Sequence, residues 1–121
     1  MNIMKFLGIG IDICKVSRIQ KIMEKPYWDR FVERVLSEPE RVKRNNAEFV
    51  ASRWAAKEAL VKATGNKGLV FREIEVFGNG KPGIRVLGEE GKGGFEGIEF
   101  FLSISHEEDI AAAVVVALSK A

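Results

Sequence analysis

The stretch "AEFVASRWAAKEALVKATG", residues 47–65, decides the fold. It reads as one helix, with Asn45 or Asn46 as its cap and Gly65 as its stop. At about 100° per residue, Ala47, Ala51, Trp54, Ala55, Glu58, Val61 and Lys62 share one side. Phe49, Ala56, Leu60 and Ala63 fall on the other. A helix apolar on both sides is buried between layers. Glu58 therefore lies on an apolar stripe, where a carboxylate is costly unless it is paired or bound to a metal. Two readings stay open. Glu58 and Lys62 form an ordinary i, i+4 surface pair, or Glu58 is a metal ligand or base with Lys62 holding an anion beside it.

Working outward, "MKFLGIGIDI" at 4–13 reads as a buried strand ending at Asp12 or just after it. "KVSRIQKIMEK" then places Val16, Ile19, Ile22 and Met23 at helical spacing, with Ser17 as a candidate cap. Arg18, Lys21 and Lys25 fall together on its polar side. Pro26 breaks this helix, and "YWDRFVERVL" resumes the period through Trp28, Phe31, Val32 and Val35. "SEPE" is a capping-box signature, Ser37 to Glu40. Beyond Gly65 the pattern changes to strands. "REIEVFGNGKPGIRVLG" carries the turn dipeptide Asn79-Gly80, and "IEFFLSISHEEDIAAAVVVAL" reads as two strands joined near 106–109. "EEGKGGFEG" between them reads as a glycine-rich loop. The layout is α+β in one domain, residues 1–121.

The bulk numbers narrow the function. Hydrophobic residues at 46% and charged ones at 30% describe a globular chain. The net charge is +2, from 19 Lys and Arg against 17 Asp and Glu, and no aromatics interleave with basic runs. Both features speak against a nucleic-acid binder. Cys14 is the single cysteine, so an internal disulfide and a four-thiolate zinc site are excluded. A buried structural thiol is the expectation for it, in a cytoplasmic protein. The opening apolar run is shorter than a membrane span and meets Asp12 at once. No membrane segment or signal peptide is expected.

Candidate site residues flank the ends of apolar elements. Asp12 closes the first strand as a candidate ligand for a hard cation, or as a turn or capping residue. His106, the single histidine, follows "LSIS". Two carboxylates without a set of Cys or His suggest Mg²⁺. Arg53 and Lys57 on the long helix, and Lys81 in "NGKPG", are anion-binding candidates or solvated surface charges. No Walker A loop and no GxGxxG is present.

Taken together, "GIGIDICKVSRI" (8–19), "SRWAAKEALVKA" (52–63), "FREIEV" (71–76), "NGKP" (79–82) and "LSISHEEDIAAAVVV" (102–116) carry a resemblance. The chain resembles the 4′-phosphopantetheinyl transferases, in their short bacterial, acyl-carrier-protein-modifying form. The most specific pieces are Gly10 and Asp12 on the strand, combined with Trp54, Lys57, Glu58, Ala59 and Lys62 on the helix. The resemblance implies one long central helix packed on a mainly antiparallel sheet, with small helices after the first strand. It implies transfer of the phosphopantetheine arm of coenzyme A to a serine of acyl carrier protein, leaving adenosine 3′,5′-bisphosphate, in fatty acid biosynthesis. By the same resemblance Asp12 and Glu58 would hold Mg²⁺ at the pyrophosphate. Glu58, or a water near it, would take the serine proton, and Lys62 would steady the phosphate. Arg53, Lys81, Pro82 and His106 would contact coenzyme A. Arg18, Lys21 and Lys25 would dock the acidic carrier, Arg18 foremost. A homotrimer with active sites between subunits is implied as well. A non-catalytic binder of coenzyme A or carrier protein is the alternative, and it has no need of a metal at the pyrophosphate. The glycine-rich "LGEEGKGGFEG" departs from the longer helical stretch of the family.

Overall fold

The structure, a computed structural model, describes residues 3–78, 80–88 and 95–120. Strand β1 (Met4–Lys15) leads into helix α1 (Val16–Met23), helix α2 (Trp28–Val35) and a 3-10 turn at Glu38–Lys43. The long helix α3 (Ala47–Thr64) follows. Beyond it come a short 3-10 turn (Phe71–Glu73) and strands β2 (Ile74–Phe77), β3 (Gly83–Val86), β4 (Ile98–Glu107) and β5 (Ile110–Lys120). Strands β1, β5 and β4 form one antiparallel sheet in that order, and β2 pairs with β3 in a second. The glycine-rich loop expected between β3 and β4 lies largely outside the described residues.

The caps of α3 follow from local chemistry. The Asn46 side chain accepts the Phe49 N–H at 3.0 Å. Gly65 turns the chain at φ 71°, a left-handed conformation that glycine adopts without a Cβ penalty. The middle of α3 is buried nearly all round, through Val50, Ala51, Ala55, Ala56, Ala59, Leu60 and Ala63. Its floor is the alternating row Ala111, Ala113, Val115 and Ala117 of β5. Small residues on both surfaces draw helix and sheet close. Leu36, Leu60, Ile19 and Ile74 complete the core, each fully buried side chain contributing roughly 1.5–3 kcal/mol.

Within this apolar core lies one ion pair. Lys57 is wholly buried, and its ammonium donates to Glu40 Oε1 (2.6 Å), the Val35 carbonyl (2.7 Å) and the Phe71 carbonyl (3.0 Å). Glu40 in turn accepts the Ser37 N–H (2.7 Å), the return arm of the capping box, and the Val76 N–H (2.9 Å). Lys57 is thus no anion-binding group. All three of its donors are spent inside the fold, tying α2 and both 3-10 turns to α3, while Glu40 adds β2 through Val76. Burial pulls its ammonium down to about 8, against the opposing pull of Glu40.

Several local expectations change. β1 runs through Asp12 to Lys15, because β5 offers it partners as far as Ile110; Asp12 is neither a turn nor a cap. Ser17 does not cap α1, since its hydroxyl donates to Asp109. Lys25 lies past the end of α1, in a turn closed by its N–H on the Ile22 carbonyl. The β2–β3 connection spans residues 78–82 rather than a two-residue turn; Asn79 is outside the described residues.

Among the described residues nothing covers the sheet face away from α3. Phe6, Ile9, Ile11 and Ile13 of β1 are each about 60% exposed, and Phe101 of β4 stands in the same row as Ile9. Among the described residues no helix is long and apolar enough to cross a membrane.

Candidate active site

The site begins with two glycines. A Cβ on Gly8 would stand 2.0 Å from the Ala63 carbonyl oxygen, and one on Gly10 would stand 2.0 Å from that of Ala59. Glycine at both positions lets β1 lie directly against the backbone of α3. The strand advances two residues for each turn of helix, so the next inward residue, Asp12, comes level with the turn before Ala59. There the Lys62 ammonium reaches back and donates to Asp12 Oδ1 and to the Ile11 carbonyl, both at 3.0 Å. Lys62 therefore does not pair with Glu58 one turn away. The Glu58 carboxylate is half-buried and has no ion-pair or hydrogen-bond partner among the described residues.

This donor set suits a hard cation. It offers carboxylate oxygens, with one oxygen of Asp12 and both of Glu58 uncommitted. Among the described residues no group of three or more metal-binding side chains occurs. A cation here would complete its shell with water and substrate oxygens, as Mg²⁺ does. Cys14, one residue further along the same face of β1, is buried, and burial pushes its thiol up. It holds little of the reactive thiolate.

Glu58 opens onto a cleft of about 540 Å³ between α2 and α3, lined by Tyr27, Arg30, Phe31, Arg34, Val35, Trp54 and Phe71. Its aromatic wall is continuous. Trp28 stacks on Phe31 (5.6 Å between centroids), Phe31 on Trp54 (5.9 Å), and Phe71 meets Trp54 edge-on (5.5 Å). The Arg18 guanidinium lies over Trp54 at 5.7 Å, joining the basic α1 to this wall. Arg18, Lys21 and Lys25 are all exposed. The arginine rim was the part missed from sequence. Its signal is the mixed stripe Tyr27, Arg30, Phe31 and Arg34 at helical spacing, read only for its apolar members.

The remaining predicted residues stand elsewhere. Arg53 and Pro82 line a second cleft of about 220 Å³ with Lys43, Phe49, Gly78, Gly80 and Ile104. The Arg53 guanidinium lies over Phe49 at 3.9 Å and donates to Ser52 Oγ at 3.0 Å. Its Nε is buried without a partner, and burial lowers its pKa. An orphan donor on a desolvated cation is suited to an anionic ligand. Lys81 is exposed in the adjoining turn. His106 falls on the same sheet face as Asp12, opposite Ala111, with Nδ1 3.5 Å from Glu48 Oε2. Neither Asp12, Glu58 nor Lys62 lines this second cleft. Within one chain, Arg53 and Pro82 thus line a different cleft from Glu58.

Comparison with known proteins places this arrangement. The family model for the 4′-phosphopantetheinyl transferase superfamily matches residues 8–116. A holo-[acyl-carrier-protein] synthase of Myxococcus xanthus is 41% identical over 120 residues, covering 93% of this chain and 95% of the relative. The crystal structure of the holo-ACP-synthase from Plasmodium yoelii superposes with a TM-score of 0.83 at 35% identity, over 96% of this chain and 97% of that one. A holo-(acyl-carrier-protein) synthase of Bacillus anthracis, solved in complex with CoA (3′,5′-ADP), gives a TM-score of 0.75 at 39% identity, over 94% and 97%. The chain belongs to the 4′-phosphopantetheinyl transferase superfamily and, within it, to the holo-[acyl-carrier-protein] synthases. It is an enzyme of that class, with the α+β fold of its solved relatives.

Proposed function

We propose that the chain transfers the 4′-phosphopantetheine arm of coenzyme A to a serine of apo-acyl carrier protein and releases adenosine 3′,5′-bisphosphate. The observation that carries the reading is the Glu58 carboxylate, without an ion-pair or hydrogen-bond partner among the described residues, on an arginine-rimmed cleft and one helical turn before Lys62, whose ammonium meets Asp12. Asp12 and Glu58 would hold Mg²⁺, which when bound neutralises charge on the pyrophosphate. A Glu58 oxygen accepts the proton of the serine hydroxyl, directly or across a water. Lys62 spends two of its three donors on Ile11 and Asp12; the third is available for a phosphate oxygen.

Arg53 and Lys81 take the adenosine end of coenzyme A, Pro82 contacts the coenzyme beside them, and His106 lies by its phosphates, with the groups near Lys81 or His106 contributed by a neighbouring copy of the chain. The separate clefts of Glu58 and of Arg53 with Pro82 support a divided site. The uncovered face of Ile9, Ile11 and Ile13 supports an assembly, read here as a homotrimer. The carrier, being acidic, docks on Arg18, Lys21 and Lys25, extended by Arg30 and Arg34 around the cleft that Glu58 opens onto. A place in the cytoplasm, in fatty acid biosynthesis, goes with this reading.

The test is to incubate the protein with coenzyme A, Mg²⁺ and apo-acyl carrier protein and weigh the carrier. The carrier gains the mass of one phosphopantetheine group, and the gain disappears when the metal is chelated. No gain in mass with all components present sinks the reading.

A further inference from the structure

Helix α1 has no cap of its own. Lys15 precedes it and offers no side-chain acceptor to its first turn. The acceptors come from the far end of the sequence, from Asp109 in the turn between β4 and β5. Asp109 Oδ1 accepts the Ser17 N–H at 2.8 Å, and Oδ2 accepts the Ser17 hydroxyl at 2.5 Å. The Asp109 carbonyl accepts the Val16 N–H at 2.8 Å. One residue thus holds the first two residues of α1 through three bonds. These bonds matter because α1 is short, eight residues with only Val16 and Ile19 fully buried. A helix of that length does not hold its geometry alone. The next residue after Ser17 is Arg18, which reaches over Trp54 to the cleft beside Glu58.

We propose that Asp109 is a positioning residue for carrier recognition: it clamps α1 from the far end of the same chain, setting the direction in which Arg18 and Lys21 face the carrier. This rests on the reading of α1 as the docking face. Asp109 itself need not touch the carrier. The Ser17 hydroxyl, with Lys15 and Lys21 nearby, holds its carboxyl below the usual carboxylate range, so the clamp stays ionised at neutral pH.

Charge and geometry predict opposite results here, which makes the clamp testable. Asp109→Ala removes a negative charge beside Lys15 and Lys21 together with both carboxylate acceptors, and by charge alone an acidic carrier should bind better. Positioning predicts the reverse. Steady-state transfer by the intact protein, with coenzyme A and apo-carrier varied separately, reads the difference. In Asp109→Ala the KM for carrier should rise about fivefold to tenfold, the scale of a lost helix cap, while kcat and the KM for coenzyme A hold. Ser17→Ala, which keeps the charge of Asp109, should give a smaller rise in the same direction. The double variant should be no worse than Asp109→Ala. An unchanged or lower KM for carrier in Asp109→Ala overturns the proposal. Arg18→Glu, run in parallel, separates the two readings. If it raises the KM for carrier and Asp109→Ala does not, the clamp alone is wrong. If neither variant moves that KM, the docking face itself is wrong.

Discussion

Lys57 and Lys62 stand little more than one turn apart on α3, and each meets a carboxylate brought from elsewhere in the chain. Lys57 meets Glu40 at 2.6 Å with both side chains out of solvent, and all three ammonium donors and both Glu40 oxygens are engaged. Lys62 meets Asp12 at 3.0 Å with its own side chain about half exposed, and valences on both partners stay open. The first arrangement is closed and can only hold the fold. The second can exchange partners when a phosphate or a cation arrives. A buried pair is hard to break from one side, whereas an exposed pair contributes little to stability. The proposed function accordingly assigns the chemistry to the weaker pair.

The widest separation between the two comes from cutting each lysine. Lys57→Met leaves Glu40 buried without its cation and should cost about 3–5 kcal/mol in urea unfolding. Adding Glu40→Gln, which removes the stranded charge and keeps an acceptor for one of the Ser37 and Val76 N–H groups, should recover part of that; a double variant less stable than the single one would break the account of a closed pair. Lys62→Met should do the opposite, leaving stability within about 1 kcal/mol while transfer falls about a hundredfold. Equal stability losses at the two lysines would erase the distinction.

Smaller effects sharpen it. Gly10→Ala forces a Cβ against the Ala59 carbonyl and should cost about 1–3 kcal/mol by pushing β1 from α3. Transfer should fall with it, because Asp12 moves; a variant fully active at the wild-type melting temperature would contradict the close approach. The smallest effect is in pH. Lys57 titrates near 8 in the folded chain, against an ordinary value of 10.5. Between those values the unfolded chain holds the proton that the folded chain has released, so stability rises with pH. Wild type should gain on the order of 1 kcal/mol over Lys57→Met between about pH 7.5 and about pH 9.5. Parallel curves for the two proteins would contradict it.

These differences also mark what the sequence could reveal. The two ends of α3 were legible because their signals are local: Asn46 three residues before the N–H it caps, and Gly65 at the stop. The antiparallel strands were legible from apolar runs, but their order was not. β5 lies between β1 and β4 through pairings that no short-range pattern specifies. Glu58 was singled out as the misplaced charge of the helix, yet Lys57 beside it is the buried one. With apolar residues all round α3, periodicity cannot tell which neighbour faces inward, and the partner Glu40 comes from a turn 17 residues earlier. Asp12 was found as a carboxylate ending an apolar run, although the strand continues past it. That Glu58 and Arg53 line different clefts had no signal in the residues themselves. It follows from which side of α3 each one leaves.

The most direct test of the central claim is Glu58→Gln, measured for both transfer and melting temperature. Glu58 has no ion-pair or hydrogen-bond partner among the described residues, so the account predicts an unchanged melting temperature with transfer reduced about a thousandfold or more. A variant that still loads the carrier at near wild-type rate, or one that loses activity only because it unfolds, would contradict the assignment of the chemistry to the open side of α3.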